Sequence, residues 1–206
     1  VALTLTLDTN CLVDLAEGRP AGEEVMTLVG LHRAGVIDLA ITGISASERQ
    51  QGGGYIRSFN EFRARLSALG VSDLTLLKPM AVVGVAFYDW AVYGSDEWDE
   101  LRRSITSILF PGLPPYPEYC LANGLDPSAE FDPRYKNRML DSLILHTHII
   151  YDRDLFISSD DNFHKETKRP RLEALGAKRI LTPAQAVDLA RVGCSVSAAK
   201  AHEDLV

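Results

Sequence analysis

Two short apolar runs in this chain stop abruptly on carboxylates, and this pattern constrains the fold more than any other feature. Leu3-Thr4-Leu5-Thr6-Leu7 ends on Asp8-Thr9-Asn10, and Leu155-Phe156-Ile157-Ser158-Ser159 ends on Asp160-Asp161-Asn162-Phe163. Apolar runs of this length, closed by acids, read as buried strands that deliver their last residues to the rim of a parallel sheet. Two strands that each discharge an Asp at their carboxyl end point to a cation site in the crevice of an open α/β sheet.

The rest of the chain alternates in the same way. Val36 to Ile41, Leu74 to Leu77, Asp154 to Ser158 and Arg179 to Leu181 have strand character. Between them, Glu23 to Ala34 reads as a helix stopped by Gly35, and Ser45 to Gln51 as one broken by Gly52-Gly53-Gly54. Tyr55, Phe59, Phe62, Leu66 and Leu69 recur at helical spacing, and Gly70 ends that segment. Ala81 to Tyr93 is apolar throughout and reads as a helix. Asp96 to Phe110 has an acidic first turn that suits the positive end of a helix dipole. Asn137 to Tyr151 and a short piece at Leu172 to Ala174 follow, and Thr182-Pro183 supplies an N-cap and first-turn proline for a helix through Arg191. The expected fold is α/β, a mostly parallel sheet sandwiched by helices in three layers.

One stretch departs from the alternation. Pro111, Pro114, Pro115, Pro117, Pro127 and Pro133 break any regular element, so a long excursion is expected at about 95–135. Tyr116, Tyr119, Phe131 and Tyr135 are placed to anchor it on the body. The 206 residues, 46% of them hydrophobic, suit a single domain over 1–206.

Composition narrows the function classes. A formal net charge of -7 argues against general coating of nucleic acid and leaves room for a local basic patch. No apolar run reaches membrane-spanning length, and the first residues lack the charged leader and apolar core of a secretory signal. Cys11, Cys120 and Cys194 are odd in number and widely spaced, which suits neither a disulfide framework nor a zinc pattern. The expected setting is reducing and cytoplasmic.

Two further acids join the strand-end pair. Glu48 lies just beyond the second strand, and Asp141 sits in Met139-Leu140-Asp141-Ser142-Leu143-Ile144-Leu145. A carboxylate inside so apolar a helix is costly unless it is paired, hydrogen-bonded or bound to metal. Clustered carboxylates resist ionising together, and a hard divalent cation removes the conflict. Mg²⁺ or Mn²⁺ accepts oxygen ligands and keeps several waters, so a few carboxylates suffice. Each acid also has a plainer reading. Asp8 can end a strand and form a turn with Thr9 and Asn10, and Glu48 can be a first-turn helix acid.

The order of Asp8-Thr9-Asn10, Glu48, Asp141 within Asp-Ser-Leu-Ile-Leu, and Ser158-Ser159-Asp160-Asp161-Asn162-Phe163 resembles the PIN domain family. The resemblance is clearest over 1–50 and 137–190. Many members are metal-dependent ribonucleases, including VapC-type toxins of toxin–antitoxin pairs. The resemblance implies a PIN-like domain in which Asp8, Glu48, Asp141 and Asp160 are catalytic, with Asp8, Asp141 and Asp160 holding Mg²⁺ or Mn²⁺. Asn10 matches a position that supports the first Asp. Asn162 stands where an acid is often found, so it is assigned a supporting role. The implied activity is endoribonuclease cleavage of RNA, with an inhibitory protein as a further partner. The alternative is a non-catalytic PIN-like module that binds RNA or protein. A phosphatase of the aspartyl-phosphate type fits less well, because Asp8-Thr9-Asn10 lacks its second acid.

Basic residues flank the acids. Lys136 and Arg138 precede Asp141, and Lys165, Lys168, Arg169 and Arg171 follow Asp160. Such groups suit phosphate contacts along an RNA strand, and a solvated helix face is the plainer reading. His146 and His148 lie about 200° apart on a helix, so they are expected to be structural and not to chelate one metal. Asp126, Glu130 and Asp132 are expected to be solvated, and the glycine triplet to be a break between helices. The apolar faces at 55–69 and 81–93 suit either core or a homodimer contact.

Overall fold

The computed structural model describes residues 2–44, 59–86, 90–129 and 131–192. Glu48, the Gly52-Gly53-Gly54 triplet, Glu130 and Cys194 lie outside the described residues. Among the described residues five short strands form one sheet: β1 (Leu3–Leu7), β2 (Ile37–Thr42), β3 (Thr75–Leu77), β4 (Leu155–Ile157) and β5 (Arg179–Leu181). Their order is β3-β2-β1-β4-β5, and every pairing is parallel. The fold is α/β with helices on both faces.

Alternation along the strands assigns each face its core. Leu5, Leu7, Leu155, Ile157 and Leu181 join one cluster, with helices α1 (Thr9–Glu17), α2 (Pro20–Arg33), α3 (Phe59–Ala68) and the helix over 183–192, α9. Phe156 and Ile180 point the other way. They pack under α4 (Asp96–Leu109), α6 (Pro133–Ile150), α7 (Asp161–His164) and α8 (Arg169–Leu172), which runs into a π-turn (Glu173–Ala177). Phe59, Phe62 and Leu66 are buried in the first cluster. That apolar face is therefore core, and it gives no support to a homodimer contact.

Glycines permit two close approaches that shape the body. A Cβ at Gly22 would lie 2.9 Å from the Asp14 carbonyl oxygen, so α1 and α2 cross with backbone almost in contact. A Cβ at Gly43 would meet the Trp90 ring at 2.4 Å, and that ring stacks on Phe59 at 4.3 Å between centroids.

Several elements differ from the sequence reading. Residues 83–85 form a turn, and Met80 bridges Val92, so the apolar segment 81–93 is not an α-helix where it is described. Gly84 at φ 73° suits a turn, and Ala81 and Val92 use their N–H groups to close the loop on itself. Helix α1 is an addition: Asp8 ends the strand and at once caps this helix, while Gly18 closes it at φ 63°. The excursion contains a two-turn helix, α5 (Tyr116–Asn123), because Pro115 and Pro117 sit in and before its first turn, where a missing N–H costs nothing. Its aromatics anchor it as expected, with Tyr116 stacked on Phe131 at 4.2 Å and Tyr119 against Tyr135 at 5.0 Å. Asp132 is not merely solvated. It caps α6 through the N–H groups of Arg134 and Tyr135 and accepts the Tyr119 hydroxyl at 2.9 Å.

Candidate metal centre

The sheet order reverses between β1 and β4, so their carboxyl ends flank an open crevice, the usual ligand position in such sheets. The register pairs Leu7 with Ile157. The next residues, Asp8 and Ser158, therefore stand side by side, and the Asp8 N–H continues the ladder by donating to the Ile157 carbonyl at 2.8 Å. Leu7 and Ile157 face the first core, so the pleat turns Asp8 and Ser158 toward α6.

Asp8 is 1% exposed and fully committed. Its Oδ1 accepts the Thr9 N–H at 2.7 Å, and its Oδ2 accepts the Ser158 hydroxyl at 2.6 Å and the Asn10 amide at 3.3 Å. Asn10 thus supports Asp8, as its place in the sequence suggests. The Ser158 hydroxyl also accepts the Asp160 N–H at 3.0 Å, so one side chain couples the first and last acids. Asp160 then caps α7 by accepting the Asn162 N–H at 2.8 Å.

Asp141 reaches the same crevice through helix register. His148 lies seven residues later on α6, two turns along the same stripe, and its Nδ1 meets the Thr6 hydroxyl at 3.0 Å. Helix α6 runs antiparallel to β1, since it leads into a parallel strand. Moving back roughly 10 Å along the helix from His148, and forward about 7 Å along the strand from Thr6, brings Asp141 to the level of Asp8.

Electrostatics report the same convergence. Burial pushes the Asp8 carboxyl up from 3.8 to about 6 against the pull of its hydrogen bonds, and the Asp160 charge adds to the rise. Burial also raises Asp141 well above the carboxylate range, and the charges of Asp8 and Asp160 raise it further. No described residue donates a hydrogen bond or an ion pair to Asp141. Glu48 lies outside the described residues.

The donor set fits a hard divalent cation in kind. It comprises three carboxylates, one of which, Asp141, is raised by the like charges of the other two. Among the described residues, however, no three His, Cys, Asp or Glu side chains stand in an arrangement that could hold a metal ion as they are. Mg²⁺ keeps several of its waters, which lets carboxylates reach it across a wider gap than a closed cage allows.

A cavity of about 710 Å³ opens beside the acids, with Asp141, Asp160, Asp161, Arg138, Lys165 and Lys168 in its wall. Of the six basic residues expected to meet RNA, these three stand at the site. Lys168 serves the protein: its ammonium donates to the Leu109 carbonyl at 2.6 Å and the Asn162 Oδ1 at 2.5 Å. Asn162 spans the same gap, its amide lying 3.4 Å from the Leu109 carbonyl oxygen. Together they join the end of α4 to α7, so Asn162 supports the site as a strut. Lys136 lines a separate cavity of about 750 Å³ bounded by Gly84, Tyr116 and Phe131, away from the acids. Arg169 and Arg171 line neither cavity.

The histidines are separate from the acids. His148 is held between Thr6 and the Ala177 carbonyl at 3.1 Å and is structural. His146 is buried against Trp98, and neither of its ring nitrogens has a hydrogen-bond partner among the described residues. Burial pulls both rings down to about 4, so they are neutral at pH 7. Cys11 is buried beside the site, and burial with the Asp8 charge pushes its thiol far up, which leaves it an unreactive thiol.

Sequence reasoning missed Ser158, Ser159 and Asp14 as site residues. Ser159 donates to Asp14 Oδ2 at 2.5 Å, and Arg19 holds the other Asp14 oxygen at 3.1 Å, which ties α1 to the end of β4. The available signal was two hydroxyls at the end of an otherwise apolar strand. No protein-family model, no curated protein and no solved structure matches this chain.

Proposed function

We propose that this protein is an endoribonuclease dependent on Mg²⁺ or Mn²⁺, with Asp8, Asp141 and Asp160 as the residues that would hold the cation and Glu48 as a fourth acid. One observation carries the reading: Asp141 is half-buried in the cavity wall, has no donor among the described residues, and faces the charges of Asp8 and Asp160. A purely structural carboxylate in that position would have a partner. When bound, a divalent cation would offset these charges, lower the pKa of a coordinated water and stabilise charge on a phosphodiester.

The protein's own groups do the positioning. Ser158 and the Thr9 N–H fix the Asp8 oxygens, and Ser158 also fixes the backbone of Asp160. Arg138 and Lys165 line the same cavity as the acids, where they suit the phosphates on either side of a scissile bond. The choice of RNA rests on the resemblance of the acidic motifs to the PIN domain family. A non-catalytic binding module is the rival, favoured by Asn162, which is used as a strut where an acid would add a ligand.

The test is incubation of mixed single-stranded and structured RNA with the protein in Mg²⁺, in Mn²⁺ and in EDTA. Internal cleavage in either metal, lost in EDTA and in Asp141→Asn, is the expected result. RNA binding without metal-dependent cleavage would overturn the enzymatic reading and leave the binding module.

A further inference from the structure

We propose that the cavity beside the carboxylates contains a subsite for one unpaired nucleobase, in which Phe110 and Tyr119 provide the stacking surface and Asn123 the hydrogen-bonding edge. This deepens the nuclease reading and rests on it. The cavity wall carries two unlike sets of groups: Asp141, Arg138 and Lys165, and Phe110, Tyr119 and Asn123. Its volume of about 710 Å³ falls within the range of small-molecule sites. A ligand that satisfies both sets carries a phosphate and a flat π-system, and a nucleotide within a strand has both.

The aromatic end is held in place by the protein itself. Phe110 terminates α4, and the Arg138 guanidinium lies 5.9 Å from the centre of its ring. Tyr119 is tied at its tip, where the hydroxyl donates to Asp132 at 2.9 Å, and along its side, where Tyr135 packs at 5.0 Å. Surfaces fixed in advance lose little freedom when a base arrives. Asn123 is the last residue of α5, and its amide N–H donates to the Tyr119 carbonyl at 2.8 Å. Its Oδ1 accepts from no described residue, which leaves an acceptor in the cavity wall to distinguish one base edge from another.

Phe110, Tyr119 and Asn123 all come from the proline-rich excursion or its border. The subsite thus gives the excursion a role: it supplies an aromatic part of the cavity wall beside the acids. A base in a duplex already has both faces stacked and its edge paired, so only an unpaired base can use this wall.

The experiment measures binding of labelled oligoadenylate, oligocytidylate, oligouridylate and an abasic ribose-phosphate oligomer by fluorescence anisotropy, in EDTA and again in Ca²⁺. Phe110→Leu keeps apolar bulk and removes the π-face. It should weaken binding of the three base-bearing oligomers about tenfold and leave the abasic oligomer unchanged. Asn123→Ala, at an exposed helix end, should shift the ratio of affinities among the three homopolymers by about fivefold. Unchanged affinities in both variants, in a protein that still cuts mixed RNA in Mg²⁺, would overturn the subsite and leave the nuclease reading standing. Wild-type protein that neither binds these oligomers nor cuts RNA would overturn both.

Discussion

Replacing Asp8 with Asn tests the acidic cluster without reference to any substrate. The folded carboxyl titrates at about 6 against an ordinary 3.8, a rise caused first by burial and then by Asp160. A rise of about two units, at 1.36 kcal/mol per unit, amounts to about 3 kcal/mol. The sign follows from the direction of the shift. A carboxyl raised in the folded state holds its proton more tightly there, so its contribution is fully present below 3.8 and is lost as pH rises through about 6. Asn carries no charge and caps a helix as well as Asp does, so the Thr9 bond survives the change.

Asp8→Asn should therefore match wild type in acid and exceed it by about 3 kcal/mol at neutral pH in EDTA, with relief of Asp141 adding to the gain. For a domain of this size that is roughly 6–12 °C in Tm. His146 and His148 produce the opposite slope. Their folded values of about 4 lie below the ordinary 6.5, so their contribution is full above 6.5 and fades as pH falls. Both proteins share that slope, so the difference between them isolates Asp8 together with its effect on Asp141. The assay is urea unfolding across a pH series in EDTA, repeated in Mg²⁺. Cation at about a hundred times its Kd should restore roughly 2.7 kcal/mol to wild type at neutral pH and nothing comparable to the variant. Parallel stability curves, or a variant less stable at neutral pH, would refute the argument and make Asp8 a structural cap alone.

Other substitutions separate support from chemistry. Arg153 is buried and donates to the Leu5 carbonyl and to Asp38, so Arg153→Ala should cost about 2–4 kcal/mol in urea melts and leave cleavage per folded molecule intact. Lys165→Ala and Arg138→Ala should each reduce the salt dependence of RNA binding by about one counterion. Lys168→Ala should instead lower turnover and local hydrogen-exchange protection, because its ammonium joins Leu109 to Asn162. His146→Leu should raise stability by about 1 kcal/mol at neutral pH, since it removes two buried nitrogens that lack a well-formed hydrogen bond among the described residues. Its Tm should also fall less in acid than that of wild type.

The strands were legible in the sequence because they depend on local pattern. Short stretches rich in buried aliphatic residues mark strands, so Leu3–Leu7 and Arg179–Leu181 were read with their observed limits, and an acid that ends such a strand emerges at the rim. Helix α4 was read within one residue because its acidic first turn marks its own start. The segment 81–93 misled, because apolar content alone does not distinguish a helix from a loop folded over a core. The proline-rich excursion misled in the other direction, since prolines in a first turn begin a helix as readily as they break one. Which acids meet was decided by the tertiary structure. Asp8 and Ser158 are adjacent because β1 and β4 are paired in one register, and Asp141 joins them because His148 sets the position of α6 on Thr6. The fates of Lys136 and Lys168 were likewise settled in three dimensions: one faces another cavity, and the other is spent on a carbonyl 59 residues away in sequence. Periodicity reports which face of its own element a side chain occupies. Its partners depend on how separate elements dock, and that information is distributed across the whole chain.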